Sequence, residues 1–373
     1  MKTGIITIHS AYNYGSALQA IASCEAVRYL TEQDAEIIDF QPDDIMAMYS
    51  LDIRKNIGSI KDFIKFIITC KSRRLKKQAF DSFWKKNDCL SADCYKDQED
   101  LYRCNQNYDC FIVGSDQVWN PEIVKETFPA FCLDFVDEDK KKISYASSFG
   151  VKSIAEKKLA FLNRSLRSFD AISVRESEAR NILNQEVREN TVVVCDPVFL
   201  LSADQWKKKE KEISLPKEYI LVYCVEQDKE FRKKIRELGE RLNLPIVDVG
   251  TAANPKNYVG LHWDSIGPAE FLYAVSHANY VITNSFHGTA FSVIYKKKFI
   301  VKAHSTRGVR MKNLLDKVGM LDRLVQGEES VDLLLQKIQK EVSEKNIKLE
   351  QYVKESKQYL KEAIGNEREK NEY

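Results

Sequence analysis

The sequence predicts an α/β protein of two Rossmann-like domains facing a cleft, with a helical insertion in the first domain. Three observations carry this. Short β-branched runs alternate with helix-spaced apolar residues along most of the chain. Its 373 residues suit two domains at ~150 residues each. The alternation stops at a charged stretch, Lys207 to Glu212, and then starts again.

The elements follow in order. Residues 4–9 read as a first strand. Asn13-Tyr14-Gly15-Ser16 is a turn, and Ala17, Leu18, Ile21, Val27 and Leu30 then recur at helical spacing, with Ser16 as the expected cap. Residues 35–39 are a second strand, which makes the opening a βαβ unit of a parallel sheet. Residues 42–107 break the rhythm and read as a helical insertion, with Phe63, Ile64, Phe66, Ile67, Phe80, Phe83 and Trp84 as its apolar set. Its basic run, Lys71 to Lys77, is a solvated helix face and a candidate peripheral contact with the inner membrane face. Strands resume at 109–113, 143–146, 171–174 and 192–195. After the charged stretch come strands at 219–224, 245–249, 279–283 and 299–302, with helices over 229–242, 268–277, 288–295 and 309–318. The expected division is 1–200 for the first domain, 201–345 for the second and 346–373 for a charged helix and tail.

Composition excludes several classes. Hydrophobic residues are 44% and charged residues 30%, enough to bury a core and too apolar for global disorder. Lys plus Arg is 57 and Asp plus Glu is 55, a net charge of +2, so no nucleic-acid partner is expected. The opening MKTGIITIHS lacks the apolar core of a secretory signal. The nine cysteines stand singly with no C-x-x-C pair, which fits a reduced cytoplasm better than disulfides or a zinc site. Phe271 to Tyr295 carries no charge, but its His277, Asn279, Asn284 and His287 would be desolvated in hydrocarbon. A buried strand, a polar turn and a buried helix explain the same residues. No P-loop and no G-x-G-x-x-G occurs, which argues against the usual ATP and dinucleotide sites. His9 ends the first strand. His262, His277 and His304 lack a metal-ligand spacing, so no metal is expected.

The sharpest local signal is Thr283-Asn284-Ser285-Phe286-His287-Gly288-Thr289, between a strand and a helix. The amino end of a helix favours an anion, and Gly288 would let a ligand approach the backbone. The plain alternative is a capping turn around a buried histidine. In family order, Gly4 to Thr7 through Asn13 to Gln19, Val113 to Pro121, Ser144-Tyr145-Ala146 with Phe149-Gly150, Ser173 to Glu176, Asp196-Pro197 and Asn284 to Thr289 resemble the polysaccharide pyruvyl transferase family over about residues 1–320. The resemblance implies a GT-B-like fold and transfer of pyruvate from phosphoenolpyruvate to a sugar as a ketal. It implies no cofactor beyond that donor substrate. Where better-known members have Arg-Leu-His, this chain has Ser285-Phe286-His287. A family Lys falls near Arg307 here, and Arg175 matches the family's other anion-binding Arg.

The expected roles follow from the chemistry. A small multiple anion needs two or three fixed cations and a helix start. Arg175, Arg307 and Arg310 are the candidate cations, with Ser285, Gly288 and Thr289 at the helix start. His287 is the candidate general acid, and Asp116 the candidate base for a sugar hydroxyl. Asn13, Tyr14, Ser115, Gln117 and Trp119 are the candidate acceptor-binding residues, on the acceptor side in the first domain. The expected acceptor is a lipid-linked or nucleotide-linked saccharide of a surface polysaccharide. The alternatives are a glycosyltransferase using a nucleotide sugar and a non-catalytic glycan binder.

Overall fold

The computed structural model describes residues 1–43, 45–46, 60–226, 228–250, 259–303 and 308–365. The chain divides into two units. One comprises Met1–Ser50, Asn87–Leu201 and Glu350–Tyr373, and the other Leu51–Lys86 and Ser202–Leu349.

The first unit is built on a parallel sheet of five strands, β1 (Lys2–Ile6), β2 (Asp34–Phe40), β3 (Leu90–Tyr95), β4 (Cys110–Val113) and β5 (Lys141–Ser144), in the order β3-β2-β1-β4-β5. Its inner strand β4 is apolar along its whole length because helices cover both faces of such a sheet. Cys110-Phe111-Ile112-Val113 is buried at every position. A parallel pair, β6 (Ile172–Val174) and β7 (Thr191–Val193), continues from β5 through the single bridges Ile143–Ala171 and Ser147–Val174. The helix Tyr14–Thr31 follows β1. Its cap is Asn13, whose side chain accepts from the N–H groups of Gly15 and Ser16, so Ser16 is not the cap. The long helix Ile347–Gly365 lies against β5. Lys141 Nζ donates to the Ile364 carbonyl at 3.1 Å and Tyr359 Oη to the Ser144 carbonyl at 3.1 Å.

The second unit repeats the plan. Its strands are β8 (Ile220–Tyr223), β9 (Ile246–Asp248), β10 (Leu261–His262), β11 (Tyr280–Thr283), β12 (Lys298–Lys302) and β13 (Leu324–Val325), all parallel in the order β10-β9-β8-β11-β12-β13. Both sheets therefore have the Rossmann order, in which the chain reverses direction between the first and fourth strands of the unit. Trp206, fully buried, packs edge-on against Phe291, which in turn meets Phe271. These rings fix the helices Pro268–His277 and Phe286–Ile294 on the sheet.

The segment expected as a helical insertion in the first domain differs in two ways. It ends in β3, an edge strand of the first sheet. Its long helix, Ile60–Asn87, belongs with the second unit over Leu51–Lys86. Packing explains this. Ala79 lies against Gly267, where a Cβ would come within 2.8 Å of the Ala79 Cβ, and Phe80 and Phe83 are buried. The helix thus sits at the start of Pro268–His277. Short β10 and β13 were not expected from the sequence, since two-residue strands carry no periodicity. Among the described residues no helix is long and apolar enough to cross a membrane.

Candidate active site

In an open parallel sheet, ligands collect beyond the carboxyl ends of the strands where the order reverses. Each unit has one such point, and the candidate residues gather at both.

In the second unit the point lies between β8 and β11. Thr283 closes β11, and its hydroxyl donates to the Tyr223 carbonyl at the end of β8 at 2.6 Å. Asn284 joins the two loops. Its Oδ1 accepts from Val225 N–H at 2.7 Å, and its Nδ2 donates to the Glu226 carbonyl at 2.8 Å. Ser285 is the cap of the Phe286–Ile294 helix, its side chain accepting from Gly288 N–H. Thr289 is buried, and its hydroxyl donates to the Ser285 carbonyl at 2.9 Å. His287 is the second residue of that helix, 7% exposed, with its ring edge-on to Phe286. The turn is thus built from neutral donors and a histidine at the positive end of a helix dipole.

Gly288 has a packing reason to be glycine. A Cβ there would stand 2.3 Å from Thr283 Oγ1 and 3.0 Å from the Tyr223 ring. The missing side chain lets the helix pack on its own strands. Arg310 is half-buried on the helix Val309–Lys317. Arg307 lies outside the described residues. The sequence reading missed one cation, Lys302 at the carboxyl end of β12. Val301, just before it, pairs with Thr283. Lys302 forms an ion pair with Asp228, the cap of the helix Lys229–Leu242. Burial would raise the Asp228 carboxyl, but Lys302 and the helix N–H groups hold it below the usual range. A lysine ending an apolar strand beside the reversal was the available signal.

In the first unit the corresponding edge is charged. Asp116, Ser148, Arg175 with Glu176, and Asp196 follow β4, β5, β6 and β7 in turn. Arg175 Nη1 donates to Asp196 Oδ2 at 2.7 Å, its Nε to Glu176 Oε1 at 3.3 Å, and its Nη2 stands 3.5 Å from Asp116 Oδ1. Burial disfavours the guanidinium charge, but the carboxylates of Glu176, Asp196 and Asp116 outweigh it and raise its pKa. Arg175 was expected to hold a donor anion. In this structure it is the counter-ion of three carboxyl groups, with a side chain only 2% exposed. Asp116 keeps the most access of the three, at 14%, and accepts from Ser16 Oγ at 3.2 Å. Ser148 Oγ donates to Glu176 at 2.7 Å. Glu176 and Asp196 entered the sequence reading only inside motifs; an acid within three residues of the ends of β4, β6 and β7 was the signal overlooked.

The expected acceptor residues divide. Trp119 is fully buried, its Nε1 donating to the Phe131 carbonyl at 3.0 Å and its ring against Phe149. It is core, and it offers no face for a sugar. Tyr14 and Ser115 are also buried. Ser115 Oγ donates to the Ala146 carbonyl at 2.9 Å, and its N–H donates to Gln19. Gln117 accepts from Asn120 Nδ2 at 3.2 Å. Asn13 is half-exposed and caps its helix. These residues build the loop that carries Asp116 and the helix start that carries Ser16. Among the described residues no group of three His, Cys, Asp or Glu side chains could hold a metal ion.

The fold places the chain in a class. It is similar to UDP-GlcNAc 2-epimerase from Methanocaldococcus jannaschii, solved with UDP-GlcNAc and UDP, at 14% identity and a TM-score of 0.52, over 95% of this chain and 99% of that one. It is also similar to the Neisseria meningitidis UDP-GlcNAc 2-epimerase bound to UDP-GlcNAc, at 10% identity and a TM-score of 0.51, over 96% and 94%. The Rickettsia bellii UDP-N-acetylglucosamine 2-epimerase gives 11% identity and a TM-score of 0.53, over 98% and 95%. At such identities the likeness is one of fold, the GT-B type with two Rossmann-like domains. No curated protein matches in sequence. Residues 13–306 match the polysaccharide pyruvyl transferase family, and the chain belongs to it. Family and fold together make it a transferase-type enzyme.

Proposed function

We propose that the protein transfers pyruvate from phosphoenolpyruvate to a sugar of a surface-polysaccharide precursor, as a ketal. The observation that carries this is the neutral, donor-rich turn at Thr283–Thr289, with His287 at the amino end of a helix beside the β8–β11 reversal. A compact phosphate-bearing anion suits that end. Lys302, Arg307 and Arg310 follow it along the chain and would supply its counter-charge. The charged edge of the first unit has the complementary chemistry, since carboxylates accept from sugar hydroxyls.

The reaction balances without a redox cofactor. One sugar hydroxyl adds to the central carbon of the donor while the methylene carbon takes a proton and becomes methyl. A second hydroxyl then displaces phosphate at the same carbon. Two hydroxyl protons leave the sugar: one replaces the proton given to carbon, and the other departs with phosphate. His287 is the proposed acid toward the methylene carbon, and Asp116 the base that takes a hydroxyl proton. The acceptor is a lipid-linked or nucleotide-linked saccharide, and the reaction belongs in the cytoplasm, where phosphoenolpyruvate is made.

Thermal unfolding with candidate donors tests the reading. Phosphoenolpyruvate at about 100 times its dissociation constant should add about 2.7 kcal/mol of stability. Stabilisation by UDP-GlcNAc, with none by phosphoenolpyruvate, would replace this reading with a nucleotide-sugar glycosyltransferase.

A further inference from the structure

Arg232 is a buried arginine of the second unit that the proposed reaction does not use. It is 6% exposed, and its Nη1 has no hydrogen-bond partner among the described residues. It forms no ion pair among them either, while the neighbouring Lys233 and Lys234 both do. On this helix the more exposed cations are paired and the buried one is not. Taking a guanidinium out of water without a partner is expensive. A native chain that keeps such a group has a reason to keep it.

The packing of the helix Lys229–Leu242 places it. Phe231, Ile235 and Leu238 face the core of the unit. Gly239 lies over the first residue of β9, where a Cβ would stand 2.8 Å from Ile246 Cδ1. The helix joins parallel strands, so it runs back against them. Arg232 is seven residues earlier on the same face, ~10 Å toward the helix start. The strand runs from Ile246 to Asp248, ~7 Å, so Arg232 comes level with the space just beyond its carboxyl end. Charge effects agree with this placement. Burial pushes the Cys224 thiol, just after β8, up to about 12; Asp248 adds to the rise and Arg232 opposes it. Burial lowers the pKa of His262, at the end of β10; Asp248 and Asp264 oppose this, and Lys76 and Arg232 add to it. A guanidinium felt on both flanking strands sits beyond β9, which lies between them.

The neighbours there are basic as well. Lys76 comes from the helix Ile60–Asn87, on the side that carries the buried Phe80 and Phe83. Burial pushes its ammonium down to about 8, against the pull of Asp264. The nearby acids leave Arg232 uncompensated. Asp248 spends both oxygens on the backbone, accepting from Gly250 N–H at 2.8 Å and Val259 N–H at 3.3 Å. Asp264 is 37% exposed and stands 3.9 Å from His262 Nε2. A planar guanidinium fork matches the oxygens of a phosphate. We propose that Arg232, flanked by Lys76 and His262, binds a phosphate group of a ligand beyond the carboxyl ends of β8, β9 and β10. This subsite lies on the other side of β8 from the Thr283–Thr289 turn, and the proposal does not rest on the pyruvyl-transfer reading.

Thermal unfolding and calorimetric titration of the full chain with inorganic pyrophosphate test it. Arg232→Met removes a buried, unpartnered charge at similar side-chain length, so it should unfold at or above the native midpoint. Its pyrophosphate affinity should fall at least about tenfold. Arg232→Lys keeps a charge without the fork and should bind between the two. Phosphoenolpyruvate and UDP, titrated in parallel, assign the phosphate to a small donor or to a nucleotide carrier; binding of either that is lost in Arg232→Met supports the subsite. A steep drop in the unfolding midpoint of Arg232→Met would make the residue a structural one and overturn the proposal. So would equal affinity of the native and Arg232→Met chains for all three ligands, or no binding of any of them by the native chain.

Discussion

The two units have the same strand order and the same reversal point, yet their chemistry there is opposite. In the first, one guanidinium is shared by three carboxyl groups on the loops after β4, β6 and β7. In the second, the corresponding turn carries hydroxyls, an amide and a histidine at a helix start. A Rossmann sheet fixes where a ligand sits, and the few residues after each strand decide its charge. One edge suits hydroxyl donors and the other an anion.

Three substitutions sharpen or break that contrast. Arg175→Met has the largest expected effect. It leaves two buried carboxyl groups, Glu176 and Asp196, and the partly exposed Asp116 without their cation, and removing one partner of such a cluster costs about 3–5 kcal/mol. Thermal unfolding should drop steeply. If stability were kept and only phosphoenolpyruvate affinity fell, Arg175 would be an anion-binding residue and the contrast would be wrong. His287→Ala comes next. Phosphate release from phosphoenolpyruvate with an acceptor should fall at least ~10²-fold, with the unfolding midpoint close to the native value. Near-normal turnover would remove His287 from the chemistry. Gly288→Ala is the smallest. Its Cβ would meet Thr283 Oγ1 at 2.3 Å, an overpacking of about 1–3 kcal/mol read by denaturant unfolding. A neutral result would show that the helix start can shift on β11 without penalty.

Much of the fold was legible because buried parallel strands and amphipathic helices announce themselves. The helices Lys229–Leu242 and Pro268–His277 have the limits their apolar spacing and caps imply. The reversal-point motifs were legible for a related reason: polar residues directly after an apolar strand have few structural explanations. What sequence could not supply was which partner each polar group takes. Arg175 reads as a free cation until Asp196, Glu176 and Asp116 are seen around it, and those acids are up to 59 residues away in sequence. Trp119 reads as a stacking platform until Phe131 and Phe149 enclose it. The long helix Ile60–Asn87 was recognisable by its period, but period says nothing about which sheet it covers. Its contact with Gly267 is set nearly two hundred residues later.

The helix Ile347–Gly365 closes the flank of a sheet whose first strand begins at Lys2. Ser356 accepts from the Cys195 N–H at 2.9 Å, and the Ile364 carbonyl receives the buried Lys141 ammonium. During synthesis the strands of the first unit leave the ribosome long before the element that seals them. The second unit can collapse first, while its predecessor waits with β5 uncovered until translation reaches Ile364. The first unit is thus completed by a segment, Glu350–Tyr373, that follows the whole of Ser202–Leu349 in the chain.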